Sequence, residues 1–386
     1  MKPTLNLCFF SQLPKLVTQP SLLSLIAVGL VAVVATVPNP ASASIASNLA
    51  LETPKQNTPA QAFDAKGTFE KGNALFDAYK YGEAIQAYTL VIENWWGRDN
   101  QISAQARLKR SRAYVLAAVF GSPGYDNYDQ SVGAAIVDCS RVINFQPKNP
   151  QGYTCRGFAY GYVGSLDEAF SDFSRAIQLA PNDPSIYYER GAAYIRSDKP
   201  GSAIADFTQV IKLDPKFDDA YYQRGLAYTY IRPADLQKAS ADFSQAIKFS
   251  PNIASYYKSR GSVRSSIGEY QGAVEDYTKV IQLAPGGGSY SGSAYSDRAF
   301  AFAALGKDDE AMADYNEAIR LVPKEQQAHY GRALIWAKRG DEKAAMAGLQ
   351  QAKRNYAEVM GEANFNLPEY QRIIKAIEQL ERNGKL

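Results

Sequence analysis

The stretch that decides the fold is Tyr187–Tyr194, YYERGAAY. It returns 34 residues on as YYQRGLAY, Tyr221–Tyr228, and more loosely as YYKSRGSV, Tyr256–Val263. Gly157, Gly191 and Gly225 keep the same step, as do Tyr160, Tyr194 and Tyr228. Later in each unit come Ala169 and Ala203, Phe173 and Phe207, Pro181 and Pro215. A fixed period of this length marks a helical hairpin that cannot bury its apolar face alone, so that neighbours must stack to make a core. In AIADFTQVIKL, Ala203, Phe207 and Val210 share one helix face at i, i+4, i+7. Pro215 follows, where a proline cannot continue the helix. Gly191 and Ala203 fit the close crossing of two helices, and the aromatics fill the space around it.

The pattern resembles the tetratricopeptide repeat family, of an exported bacterial type that includes cyanobacterial ones. The resemblance covers residues 65–359 in eight units: 65–98, 104–149, 150–183, 184–217, 218–253, 254–287, 292–325 and 326–359. Four middle units are nearly full matches; the first, second and last are degenerate. It implies an all-α, right-handed superhelical solenoid of about eight helix-turn-helix units. Leu367–Arg382 has helical periodicity and many charges, and the segment 360–386 reads as a capping helix.

An arginine recurs at the seventh position of the unit: Arg110, Arg156, Arg190, Arg224, Arg260, Arg298 and Arg332. An aspartate recurs on the second helix: Asp138, Asp172, Asp206, Asp242, Asp276 and Asp314. The two appear and disappear almost together, which points to an interhelical ion pair rather than a row of arginines facing an anion. Pairing within a unit leaves Arg332 over, and pairing with the preceding unit leaves Arg110 over. Both directions stay open.

Lysine plus arginine number 42 and aspartate plus glutamate 39; without Lys2 and Lys15 the basic count falls to 40. Such balance argues against a nucleic-acid partner, which needs a basic stripe. Lys2 and Lys15 precede an apolar run, Leu22–Val37, followed by Ala41-Ser42-Ala43. This reads as a signal peptide over 1–43 cleaved after Ala43, with an uncleaved membrane anchor as the alternative; a bilayer span needs ~20 residues. Residues 44–64 read as a flexible linker. The expected location is therefore the periplasm, a lumen or the cell envelope, or the inner membrane if the segment is retained. The membrane is met only through that segment. An oxidising compartment permits a disulfide between Cys139 and Cys155; two separate small core side chains is the other reading.

Catalysis has little support. His329 is the only histidine, no nucleophile motif is present, and Gly286-Gly287-Gly288 is not followed by a phosphate-loop Lys-Thr or Lys-Ser. No cofactor or metal pattern stands out. The resemblance implies that first helices line a concave groove. There it places Phe69, Phe76, Phe158, Tyr188, Tyr222, Phe300 and Tyr330, with Tyr162 and Tyr230 adjoining, as aromatic anchors for a peptide or helix. The family's carboxylate clamp of Lys and Asn is absent, since the second unit has Leu108 and Arg112. Lys258, with Ser259, Ser262, Ser265 and Ser266, makes a hydroxyl-rich floor suited to a polar ligand. Two insertions break the period. Gly121–Gly133 is rich in Tyr and Asp and reads as a surface loop or contact site, and Gly286–Gly292 is expected to loosen the stack. Trp95-Trp96 reads as core packing. The expectation is a non-enzymatic scaffold of the cell envelope that binds another protein in its groove. The alternative is a sugar- or small-ligand-binding accessory protein or enzyme subunit using the same groove.

Overall fold

A computed structural model describes residues 63–94, 100–125, 127–285, 288–360 and 368–383. The N-terminal segment 1–43, nearly all of the linker, Trp95-Trp96 and Gly286-Gly287 lie outside the described residues. Within them there are seventeen helices and no strand. The chain divides into two compact parts, the division falling between Gln223 and Arg224.

The first part holds α1 (Ala65–Asp77), α2 (Tyr81–Asn94), α3 (Asn100–Phe120), α4 (Tyr128–Phe145), α5 (Pro150–Tyr162), α6 (Leu166–Leu179), α7 (Pro184–Arg196), α8 (Pro200–Leu213) and the start of α9 (Asp218–Tyr230). The second completes α9 and adds α10 (Leu236–Phe249), α11 (Ala254–Ser266), α12 (Tyr270–Leu283), α13 (Gly288–Ala304), α14 (Asp308–Leu321), α15 (Gln326–Lys338), α16 (Glu342–Met360) and α17 (Pro368–Asn383). Each part is a stack of helical hairpins, the all-α repeat solenoid. Local chemistry sets the helix ends. Asp183 accepts from the Ser185 backbone N–H, and Pro184 stands in the first turn, where its missing donor costs nothing. Asp198 makes between α7 and α8 the left-handed turn (φ 53°) that Gly164 makes (φ 76°) between α5 and α6.

The structure gives every letter of YYERGAAY a task. Tyr187 Oη donates to the Pro181 carbonyl at 3.1 Å, and Tyr153, Tyr221 and Tyr257 do the same to Pro147, Pro215 and Pro251. His329 Nε2 meets the Pro323 carbonyl at 3.0 Å in the tyrosine's place. The proline that ends one unit thus anchors the next, a bond the sequence reading missed. Gly191 admits Phe207: a β-carbon there would stand 2.8 Å from the ring. Ala203, Phe207 and Val210 are fully buried.

Arg190 donates from Nε and Nη2 to both oxygens of Asp206 at 2.8 and 2.7 Å, within its own unit. The same two-pronged pairs join Arg110 to Asp138, Arg156 to Asp172, Arg224 to Asp242, Arg260 to Asp276 and Arg298 to Asp314. A third prong reaches back to the preceding unit. Arg110 Nη1 donates to Thr89, Arg156 to Ser140, Arg260 to Ser244 and Arg298 to Thr278. Arg332, whose own unit has Gly348 in place of the aspartate, keeps only this backward bond, to Asn316 at 2.7 Å. Aromatic faces flank the guanidinium: Tyr187 and Tyr194 centroids lie 5.7 and 5.9 Å from Arg190. Arg107 and Arg264 add a second arginine to Asp138 and Asp276.

The insertions are spent differently from the expectation. Gly121–Gly133 yields only a short loop, because α3 runs on to Phe120 and α4 starts at Tyr128. Its tyrosines turn inward: Tyr125 packs edge-on against Tyr114, and Tyr128 Oη donates to the Tyr162 carbonyl at 2.8 Å. Gly286–Gly292 does not loosen the stack among its described residues. Ser291 Oγ donates to the Ala284 carbonyl at 2.6 Å, and α13 gains a turn. Cys139 and Cys155 are joined in a disulfide, α4 to α5, so the reading of two separate core thiols is replaced. On the last hairpin, α17 lays Tyr370, Ile373, Ala376 and Leu380 over Ala333, Leu349 and Tyr356.

Arg190→Ala and Asp206→Ala are each expected to lower stability by about 1.5–3 kcal/mol, the range for hydrogen bonds to charged groups. Urea denaturation of the singles and doubles is expected to show strong coupling between Arg190 and Asp206 and none between Arg190 and Asp172. Equal coupling to both aspartates contradicts the within-unit pairing.

Candidate functional sites on the first helices

The aromatics expected to line an open groove are mostly inside. Phe158, Tyr162, Tyr188 and Tyr222 are all buried. Tyr188 stacks on Phe217 (5.3 Å) and donates its hydroxyl to Asp219. Phe158 lies 4.9 Å from Tyr162. Phe76 is buried and Phe69 half-buried in the first core cluster, around Tyr81 and Tyr88. Tyr330 packs beside α17, and Tyr230 is partly buried, its hydroxyl pKa raised by that burial. The physical reason is common to them: a ring one helix turn from the crossing is wide enough to reach the neighbouring helix, and burying it there is favourable. Of the set, only Phe300 is largely exposed, at 54%.

The structure assembles two clusters of polar side chains instead, one in each part. In the first, Arg112 on α3 donates from Nη1 to Glu189 on α7 at 2.8 Å and lies 4.8 Å over the Phe158 ring. Arg196, at the end of α7, lies 4.5 Å over the Tyr162 ring. Arg112, Arg196 and Glu189 all act on the Tyr162 hydroxyl, whose pKa burial raises and whose arginine neighbours oppose that rise. Burial lowers the pKa of Arg112, but the charge and hydrogen bond of Glu189 outweigh it, so the net shift is upward. Arg112 Nε and Arg196 Nε and Nη2 are buried N–H groups with no acceptor among the described residues. Buried guanidinium donors of this kind are unusual; that of Arg196 packs against Gly161, where a β-carbon would lie 3.0 Å from Nη2.

In the second part the cluster lies between α11, α13 and the start of α15. Lys258 Nζ donates to Ser293 Oγ at 2.6 Å and stands 4.7 Å over the Tyr290 ring. Tyr290 sits on the turn that the Gly286–Gly292 insertion adds to α13, and Ser293 is the second residue of the unit that follows. Ser266 of the expected hydroxyl floor turns back to the Ser262 carbonyl. Asp297 feels the charges of Lys258 and Glu325. Burial pushes its carboxyl up to about 7, Lys258 opposing and Glu325 assisting. Burial likewise raises Glu325 and lowers Lys258.

The sequence reading missed Glu189, Arg196, Asp297 and Glu325. A sign was present. In the seven units that carry the arginine, the residue before it is Lys109, Cys155, Glu189, Gln223, Ser259, Asp297 or Gly331. It is acidic only twice, and each acid belongs to one cluster.

A "TPR repeat" family model matches residues 162–198, and two "Tetratricopeptide repeat" models match 184–217 and 296–358. A tetratricopeptide repeat and J domain-containing co-chaperone of Cryptococcus neoformans is 39% identical over 74 residues. That match takes in 19% of this chain and 13% of the co-chaperone, so the chain spans a small fraction of this relative. Among solved structures, the Cut9–Hcn1 assembly of the APC/C is similar over 82% of this chain and 56% of its own, at 12% identity and TM-score 0.50. MamA is 26% identical over 47% of this chain and 95% of its own, at TM-score 0.42.

Asp297 gives the second part a pH signature. A carboxyl whose folded pKa is raised contributes stability that is fully present below its unfolded pKa and lost as pH rises through about 7. Asp297→Asn removes that loss, so its stability relative to the parent is expected to rise between pH 5 and pH 8 in urea denaturation. A pH-independent difference contradicts the raised pKa.

Proposed function

The chain carries tetratricopeptide repeats, and from that premise we propose that it is a non-enzymatic scaffold that binds segments of another protein. One observation carries this reading: the buried, acceptor-free N–H groups of Arg112 and Arg196 beside Tyr162. Charge-assisted hydrogen bonds to a carboxylate are the strong ones, and a guanidinium held flat on an aromatic face is already oriented for them. The ligand is therefore a peptide presenting a carboxylate, with the peptide lying along the first helices of residues 63–223. Proteins of repeat type commonly recognise extended or helical segments in this way.

The proposed setting is outside the cytoplasm, in the periplasm, a lumen or the envelope, with an inner-membrane anchor if the apolar run is retained. The run Leu22–Val37 and Ala41-Ser42-Ala43 support export. The Cys139–Cys155 disulfide supports an oxidising compartment.

A library of short peptides, each with either a free or an amidated C-terminus, tests the site by fluorescence anisotropy. Binding is expected to depend on a carboxylate, terminal or side-chain, and Arg196→Gln is expected to weaken it at least tenfold, about 1.4 kcal/mol. Arg196 makes no hydrogen bond to the described protein through Nε or Nη2, so helical circular dichroism is expected to stay unchanged. Equal binding of neutral and carboxylate peptides, or an unchanged affinity in Arg196→Gln, overturns the reading.

A further inference from the structure

The two sulfurs of the Cys139–Cys155 disulfide are placed unequally. The bond joins α4 to α5 across a separation of 16 residues. Cys139 is fully buried, whereas Cys155 is half-buried. A thiolate arriving from outside the chain therefore meets the Cys155 sulfur, and Cys139 becomes the departing group. Ser111 on α3, itself fully buried, lies 2.9 Å from Cys139 Sγ. A disulfide sulfur carries no proton, so the hydroxyl is the donor there, and the same hydroxyl can bond the thiolate that forms on Cys139. A hydrogen bond to a charged acceptor is strong in such dry surroundings. Asp138, the acid beside Cys139 in the chain, is offset by two arginines, Arg107 and Arg110, so its charge does not oppose a departing thiolate.

The bond also holds something. Cys155, Phe158 and Tyr162 follow at i, i+3, i+7 along one face of α5. Those two rings lie beneath Arg112 and Arg196, at 4.8 and 4.5 Å, and pack with Val132, Ala135 and Ile136 of α4. Tying α4 to α5 thus fixes the seat of both guanidinium groups. The apolar contacts between α4 and α5 do not need the bond, so its cleavage relaxes α5 without removing its packing.

We propose that this disulfide undergoes thiol–disulfide exchange with a dithiol protein, and that its state controls the Arg112–Arg196 site. The first thiolate of the dithiol attacks the Cys155 sulfur. The S–S bond breaks, its electron pair leaves on Cys139, and a mixed disulfide joins the reductant to Cys155. The second thiolate then attacks the reductant's own sulfur in that bond and frees Cys155. The chain gains two electrons and the dithiol's two protons, and the reductant departs as a disulfide; the reverse sequence re-forms the bond. Control of the site rests on the reading of Arg112 and Arg196 as a carboxylate site, whereas the exchange does not. By linkage, a carboxylate peptide that prefers the oxidised chain makes the disulfide harder to reduce by the same factor.

The full-length oxidised chain, with Cys8 first blocked by N-ethylmaleimide, tests both parts. Limiting glutathione, acid quenching and peptide mapping locate the mixed disulfide, which is expected on Cys155. Dithiothreitol without denaturant is expected to reduce the bond faster than the chain unfolds globally. Ser111→Ala is expected to slow that reduction about threefold to tenfold, the effect of one hydrogen bond. The direction matters, because a variant that merely loosened the packing would be reduced faster. Peptides with a free C-terminus are expected to bind the reduced chain at least about fivefold more weakly, with helical circular dichroism unchanged. The same peptides are expected to keep the bond oxidised in a correspondingly more reducing glutathione buffer. An adduct on Cys139, reduction no faster than global unfolding, or an unchanged or faster rate in Ser111→Ala overturns the exchange. Should that variant fail to fold, the adduct and the rate of the parent decide. Equal peptide affinity in the two states overturns the control. If the oxidised chain binds no carboxylate peptide, the reading of the arginine site falls and the control with it, while the exchange is still decided by the adduct and its rate.

Discussion

The arginine at the seventh position of every unit but the first is the interaction on which the array depends. At Arg110, Arg156, Arg260 and Arg298 it fixes three helices at once: its own, the second helix of its unit through an aspartate, and the second helix of the preceding unit through a hydroxyl. Arg260, with Asp276 and Ser244, shows the full set. The six aspartates are buried while the arginines keep part of their surface in water. A pair in that position adds little net stability over an apolar substitute, because desolvation offsets the attraction. Its value is positional. An apolar contact tolerates sliding, whereas a forked guanidinium on a carboxylate fixes register and angle. Hydrophobic burial by Phe173, Phe207 and Phe243 supplies the driving force, and the clasp decides where it is spent.

Function collects where the repeat departs from itself. A strictly periodic array presents the same surface at each step and discriminates nothing. Here one insertion lengthens α13 and brings the Tyr290 ring to Lys258. The other starts α4 at Tyr128, which bonds to the Tyr162 carbonyl and steadies the helix end beside Arg196. Two acids, Glu189 and Asp297, occupy a position that is basic, neutral or glycine in the other units bearing the arginine. The framework is left intact in both places, since the neighbouring Arg190 and Arg298 keep their aspartates.

The fold was largely legible in the sequence because it follows from period, and period survives in a single chain. Gly191, Ala203, Phe207 and Pro215 act over short separations that spacing reveals directly. The arginine's pairing direction was not legible. Both candidate aspartates lie on helices that touch it, and only side-chain reach separates them. The groove aromatics were misplaced for a related reason. Spacing puts Tyr188 on a helix face, but whether its ring meets solvent depends on Phe207 and Phe217 arriving from other helices. The polar clusters were hidden because their members, such as Arg112 and Glu189, are 77 residues apart.

The central claim is that these arginines are each held by both oxygens of an aspartate, and their side-chain nitrogens report it most directly. In nitrogen-15 NMR, the account predicts that Arg156, Arg190, Arg224, Arg260 and Arg298 show slowly exchanging Nε–H protons and separate signals for the two Nη groups. The surface residues Arg320 and Arg382, bonded only within their own helices, are predicted to show fast exchange and averaged Nη signals. Averaged, fast-exchanging signals from the first group would mean that no clasp is held and that packing alone sets the register.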